Sequence, residues 1–373
     1  MKKIKLRSKE WFDNPKDPGL TALYLERYLN YGLKRKDLQS GKPIIGIAQS
    51  GSDLSPCNRH ILDLSKNIKK GILNAGGVPM EFPTHPIQET GKRPTAALDR
   101  NLSYLSLVEV LYGYPLDGVV LTTGCDKTTP AALMAAATVN IPSIILSGGP
   151  MLDGHYKGQK AGSGTIIWEA RKLYSKGEID YDQFMDMATA SSPSVGHCNT
   201  MGTASTMNSI AEALGMSLPG CAIIPAPYPE RKKISYKTGQ RIVNMVRENL
   251  TPSKIMTKKA FENAVVVASA IGGSSNATTH LLAIAKHMGI KFDLSNWQKL
   301  GHKIPLLVDC QPAGKYLMEG FYKAGGIPAV MKELIKNKKL NTKVKTVTGK
   351  NLGENLKSKI KVNSKAVSYT HLT

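Results

Sequence analysis

Cys125-Asp126-Lys127 places a soft thiol, a hard carboxylate and an amine side by side where an apolar run ends. Sulfur suits iron or zinc, and the adjacent carboxylate oxygen suits magnesium. The run before it, Val119 to Gly124, reads as a buried strand, and the alanine-rich segment from Pro130 to Asn140 reads as the helix that follows. The triplet is therefore expected at the carboxyl end of a strand and beside a helix amino terminus. Open parallel sheets bind ligands at that edge, and the helix terminus favours anions. By residue type alone, the same tripeptide also fits a buried cysteine followed by a surface ion pair.

Two further cysteines occupy similar positions. Cys57 lies in the loop from Gln49 to Asn58, between the apolar run Pro43 to Ala48 and a helical pattern from Ile61 to Leu73. Cys198 lies in the segment Ser194 to Gly202, ahead of a helix-like stretch that ends at Leu214-Gly215. All three thus fall in polar, glycine-bearing loops that enter helices, whereas a free structural cysteine behaves as a small hydrophobe. Cys221 and Cys310 sit among apolar neighbours and read as structural. No pair has CxxC spacing, which argues against a zinc ribbon or a ferredoxin-like cluster. The glycine loops Ser147-Gly148-Gly149-Pro150 and Gly272-Gly273-Ser274-Ser275-Asn276 could cradle a phosphate, rim an acid-binding crevice, or be plain turns. Neither a Walker motif nor a well-placed GxGxxG is present, so a nucleotide site is the weaker reading.

Longer motifs surround these residues: Ser55-Pro56-Cys57-Asn58, Thr123-Gly124-Cys125-Asp126-Lys127-Thr128-Thr129-Pro130, Gly196-His197-Cys198-Asn199-Thr200-Met201-Gly202 and Ala270-Ile271-Gly272-Gly273-Ser274-Ser275-Asn276. From about residue 40 to about 355 the chain resembles the IlvD/Edd family of dehydratases. The segment His85 to Asn101, with Gly113 to Gly118 and Pro225 to Tyr228, is similar to the branch acting on arabinonate or xylonate. The resemblance implies a hydro-lyase that converts an aldonate to its 2-keto-3-deoxy acid. It implies a [2Fe-2S] cluster on Cys57, Cys125 and Cys198, and Mg2+ at Glu89, Asp126 and Lys127, with the lysine carbamylated so that it carries oxygen. The cluster iron would be the Lewis acid for the C3 hydroxyl, and Mg2+ would hold the carboxylate and C2 oxygen. The implied base, a serine, and a further metal carboxylate belong to a second domain. The alternatives are a dihydroxy-acid dehydratase of branched-chain amino-acid synthesis and a non-catalytic anion- or nucleotide-binding domain. By residue type alone, Glu89 reads as a solvated loop carboxylate and Lys127 as a binder of phosphate or carboxylate.

The elements that must position these groups follow from the alternation of strand-like runs and helical patterns between Pro43 and Val330. That pattern predicts an α/β fold with mainly parallel sheets flanked by helices, in two α/β subdomains. Residues 1–42 are expected to form an N-terminal helical arm that packs on a neighbour, and 43–355 the domain that binds iron-sulfur and magnesium. Residues 356–373 are expected to be a truncated tail, its last residues resembling a translated transposon end and excluded from fold reasoning. The expected partners are a small-molecule aldonate and further copies of the chain.

The chain of 373 residues carries 50 Lys and Arg against 28 Asp and Glu, a formal charge of +22. Residues 331–373 supply 11 basic against 2 acidic side chains, and the remainder is scattered along helix faces without aromatic interleaving. This favours a solvated surface with some steering of anionic substrate over nucleic-acid binding. No apolar stretch is long enough to span a bilayer, and five cysteines suit a reducing compartment, so the expectation is a cytoplasmic protein without membrane contact.

Overall fold

A computed structural model describes residues 5–89 and 95–357. The central part of the segment His85 to Asn101, residues 90–94, and almost all of the 356–373 tail lie outside the described residues. Four strands, β1 (Ile44–Gln49), β2 (Val78–Pro83), β3 (Gly118–Thr123) and β4 (Ser143–Ser147), form one parallel sheet in the order β2-β1-β3-β4. Every residue of β1, β3 and β4 is buried. Such continuous burial is what helices on both faces require of a parallel strand.

The helix Ile61–Asn74 carries the chain from β1 to β2 and packs with Pro229–Arg247 on one face. The helix Thr128–Val139 carries it from β3 to β4 on the other, against Ala97–Gly113. Small alanines let that helix lie buried among its neighbours, and Asn140 in the left-handed region, with Pro142 just beyond, stops it. The strand order reverses between β1 and β3. Their carboxyl ends, which carry Cys57 and Cys125, flank this reversal, the place where such sheets open a crevice.

The α/β class and the parallel sheet are as expected, but a second subdomain with its own parallel sheet is absent from the described residues. Among the described residues after β4, only a small antiparallel hairpin, Gly154–Tyr156 with Gln159–Ala161, adds strands. The apolar runs of the second half are helical instead. Val265-Val266-Val267, for example, lies within the helix Lys258–Ala270. A short apolar run does not by itself separate a buried strand from a buried helix. These helices join the core that covers the sheet, and only the hairpin with the helices Thr165–Ser175 and Tyr181–Thr189 has a small core of its own.

The N-terminal arm docks on its own chain. Trp11 stacks on Tyr24 with ring centroids 4.0 Å apart, and Phe12 is buried. Buried Asp117 accepts from the Ser8 hydroxyl at 2.7 Å and from the Ile44 amide at 2.8 Å, tying the arm to the amino end of β1. The arm therefore lies at the opposite end of the sheet from the cysteine loops. Strand β2 forms an edge, with Val78 N–H and Thr84 N–H closing its ladder on Pro43 and Gln49 carbonyls at 2.8 and 2.9 Å. It carries prolines at 79 and 83.

Candidate active site

The loop after β1 closes into a short turn, Pro56–Asn58, that presents Cys57. Beside it, the loop after β3 runs through Gly124 and Cys125 to Lys127, the residue that precedes the first turn of Thr128–Val139. Fully buried Asn58 joins the two loops, its Oδ1 accepting the Cys125 amide at 3.0 Å. Gly124 makes this approach possible, because a Cβ there would lie 2.4 Å from that oxygen. Thr128 Oγ1 then accepts the Gly124 amide at 3.2 Å and donates to the Cys125 carbonyl at 2.9 Å, fixing the turn.

Cys198 arrives from a third loop, held against the one after β4. The His197 amide donates to Gly149 O at 3.0 Å and the Met151 amide to His197 O at 2.9 Å. Gly196, with φ of 125°, passes so close that a Cβ would meet the Pro150–Met151 backbone at 2.6 Å. The buried His197 ring donates from Nδ1 to the Cys198 carbonyl at 3.0 Å, since a carbonyl can only accept, and Nε2 accepts from Asn208 Nδ2 at 3.2 Å. Burial pushes this imidazole down to about 3, so it is a neutral spacer. Asn208 Oδ1 in turn accepts from Thr123 at 3.2 Å and Thr129 at 2.9 Å, which ties the third loop to the end of β3. Below these loops, fully buried Arg231 donates to Ser147 O at 2.6 Å and to Ile224 O, pinning the end of β4.

The three thiols share one electrostatic neighbourhood. Burial, then Cys198 and Asp126, push the Cys57 thiol up to about 12. Burial, Asp126 and Cys57 raise Cys125 well above the ordinary range, and burial followed by Asp126 raises Cys198. Cys125 Sγ lies 2.9 Å from Asp126 Oδ1. Cys221 responds instead to burial, Arg231 and Glu212, and Cys310 to burial, Asp309 and Asp153, so these two lie elsewhere. Among the described residues no three His, Cys, Asp or Glu side chains are gathered tightly enough to hold a single ion. The donors nevertheless fit an iron-sulfur cluster in kind: three thiols, Cys125 buried and Cys57 and Cys198 half-buried, feel one carboxylate, and only strong positive charge would let all three ionise.

On the other side of Asp126, the Lys127 ammonium lies 2.9 Å from Glu89 Oε2 and 3.2 Å from Asp126 Oδ2. Burial opposes its charge, but the two carboxylates outweigh burial and raise its basicity. Burial likewise opposes the charge of Glu89, and its bonds from Lys127 and Thr95 prevail and lower it. The lysine thus stands as a monovalent cation between two hard oxygen donors. That donor set suits magnesium once an oxygen-bearing group replaces the ammonium.

The glycine loops have little left to offer a phosphate. Gly148 and Gly149 amides donate to Thr123 O at 2.6 Å and Ser147 Oγ at 3.2 Å, and Gly273 and Ser274 amides to Ala268 O at 2.9 Å and Thr206 Oγ1 at 3.0 Å. Sequence reasoning did not find Asn58, Asn208, Arg100 or His280, all near this site. Asn58 and Arg100 stand inside segments already singled out, but nothing local in the chain shows what they bridge.

Residues 42–355 match the family model described as dihydroxy-acid/6-phosphogluconate dehydratase N-terminal. The D-xylonate dehydratase of Caulobacter vibrioides is 59% identical over 355 residues, covering 95% of this chain and 60% of that protein. The L-arabinonate dehydratase of Rhizobium leguminosarum bv. trifolii is 45% identical, covering 97% of this chain and 62% of that protein. A dihydroxy-acid dehydratase of Halothermothrix orenii is 39% identical, covering 87% of this chain and 59% of that protein. The chain thus spans about 60% of the length of the curated relatives it matches.

Proposed function

We propose, because this chain belongs to the dihydroxy-acid/6-phosphogluconate dehydratase family, that it serves the dehydration of a sugar acid, a pentonate such as D-xylonate or L-arabinonate, to the 2-keto-3-deoxy acid. The reaction removes the C2 proton and the C3 hydroxyl as water, and the resulting enol becomes the ketone. The observation that carries the reading is the convergence of Cys57, Cys125 and Cys198 around Asp126 at the strand-order reversal, with Glu89 and Lys127 alongside. The 59% identity to a D-xylonate dehydratase supports the pentonate over a branched-chain dihydroxy acid, whose dehydratase is 39% identical.

A [2Fe-2S] cluster on the three cysteines would supply a Lewis acid at an iron short of one protein ligand, and Mg2+ at Glu89, Asp126 and carbamylated Lys127 would supply positive charge. The chain's own part is positional. Asp126 separates the thiol half from the oxygen half, so a substrate spanning both presents C3 to one and C2 with its carboxylate to the other. The amino end of Thr128–Val139 favours the anion at this point. Neutral His197 supports the Cys198 loop without adding charge. The C2 proton is assigned to none of residues 42–355. The activity and the substrate are proposed for the protein at the length of its relatives, and its assembly into homo-oligomers in the cytoplasm is proposed with them.

Anaerobic reconstitution with iron and sulfide tests the central claim on this chain. The wild type is expected to turn brown, Cys57→Ser, Cys125→Ser and Cys198→Ser to lose the visible absorption, and Cys310→Ser to keep it. Full colour in Cys198→Ser would remove the cluster assignment. Binding of D-xylonate, set against 2,3-dihydroxyisovalerate, separates the two substrate classes.

A further inference from the structure

The proposed reaction leaves a neighbouring pair, the half-buried Arg100 and the buried His280, without a role. Glu89 is held at the start of the helix Ala97–Gly113, with Oε1 accepting the Thr95 hydroxyl at 2.9 Å and Oε2 the Ala96 amide at 3.2 Å. Arg100, one turn on, donates its own amide to Ala96 O at 3.1 Å and places Nη1 3.0 Å from Nδ1 of His280. His280 belongs to the helix Asn276–His287, which packs on the Thr128–Val139 helix that Lys127 precedes. Among the described residues the Arg100 guanidinium meets no carboxylate; its other side-chain contacts are to Asn101 Oδ1 at 3.3 and 3.0 Å.

The chemistry of this pair is determined by the guanidinium, which can only donate. His280 Nδ1 therefore accepts, and the ring proton resides on Nε2. His280 is 5% exposed, and its Nε2 is fully enclosed with no partner. A buried donor is rarely left unmatched in a folded protein. Burial, Arg100 and Lys127 hold the ring's basicity down to about 4 against the opposing pull of Glu89, which keeps it neutral and within the field of that pair.

We propose that Arg100 and His280 position an anionic oxygen at the Lys127 site: Arg100 locks the tautomer, and His280 Nε2–H donates to an oxygen that joins Glu89 and Asp126 around the lysine. The inference rests on reading Glu89, Asp126 and Lys127 as a cation site. The oxygen has two possible sources. It belongs either to a hydroxy-acid carboxylate or to a carbamate formed when carbon dioxide bonds to Nζ and the ammonium releases two protons.

Histidine ring 15N NMR on the wild-type chain with Mg2+ tests this, the His280 signal being identified by its loss in His280→Gln. The expected spectrum has Nδ1 bare and Nε2 protonated. A shift of Nε2–H on adding bicarbonate alone identifies the carbamate, and a shift only on adding D-xylonate identifies the carboxylate. A protonated Nδ1, or no response to either addition in protein that binds Mg2+, overturns this inference alone. Failure of the wild type to bind Mg2+ in calorimetry overturns the cation-site reading and this inference with it. His280→Leu is expected to weaken the responding anion by about 10- to 100-fold, and His280→Gln, which keeps an amide donor, to recover part of that loss. Undiminished binding in His280→Leu also overturns the inference.

Discussion

Gly124→Ala tests whether the cysteine loops depend on close approach. The added Cβ would lie 2.4 Å from Asn58 Oδ1 and 3.6 Å from Cys57 O, so the loops must separate by about an ångström to reach ordinary contact. Asn58 is fully buried and cannot swing into solvent. Overpacking of this kind costs about 1–3 kcal/mol. Stretching the 3.0 Å bond from Cys125 N to Asn58 Oδ1 adds about 1 kcal/mol. Lower unfolded-state entropy returns about 0.4–1 kcal/mol. The net expectation is a loss of about 1–3.6 kcal/mol, together with a displaced Cys57 that binds the cluster poorly. Urea unfolding at equilibrium reads the first effect, and visible absorption after anaerobic reconstitution reads the second. Gly113→Ala is the control, because a Cβ at that helix end meets nothing within 4 Å. A Gly124→Ala protein as stable and as deeply coloured as the wild type would refute the reasoning.

Lys127→Arg keeps the cation between Glu89 and Asp126 but cannot take up carbon dioxide, so it should fold and yet fail to bind Mg2+ in calorimetry. In the wild type, Lys127 with its two carboxylates has a formal charge of −1, and carbamylation alone would take it to −3. A 13C carbamate signal from labelled bicarbonate should therefore appear only when a divalent cation is present, and its appearance in metal-free protein would count against the coupling. Glu212 gives a pH prediction: burial, against bonds from the Gly220 and Ala222 amides, raises its carboxyl from 4.5 to about 7. The unfolded chain then releases this proton first, so the contribution to stability is best below about pH 4.5, declines by about 3 kcal/mol up to about pH 7, and is level above it. Stability measured across that range should lose this decline in Glu212→Gln, and an unchanged difference between the two proteins would contradict it.

The strands β1, β3 and β4 and the loops that carry Cys57 and Cys125 were legible because apolar run, polar glycine loop and helical period follow one another within about 30 residues. What joins them was not. The Asn58–Cys125 bond spans 67 residues and the Asn208–Thr123 bond 85, and no local pattern reveals such pairings. The order β2-β1-β3-β4 was likewise hidden, since parallel neighbours are chosen by how helices cover the two faces. The alternation with strand-like runs was extended through the second half because burial on all sides removes the polar stripe by which a helix is recognised. The aromatic content of the arm was visible, but a stack such as Trp11 on Tyr24 looks the same in sequence whether the arm covers its own domain or a neighbour.

The two prolines of β2 bear on how this chain avoids sticking to itself. In a parallel ladder alternate residues direct their amides to the same side, and here Val78 and Thr84 point theirs at the β1 side. Residues 79, 81 and 83 therefore face away from the sheet. Pro79 and Pro83 occupy two of those three outward positions and have no N–H to give, while the side chain of Glu81 at the third is held by Lys69. An incoming strand would find one amide donor where it needs three, beside a fixed charge pair. The ladder to β1 loses nothing by this, because neither proline lies at a position that donates to it. Edge-to-edge aggregation is thus suppressed by residues placed at alternate positions of a single strand.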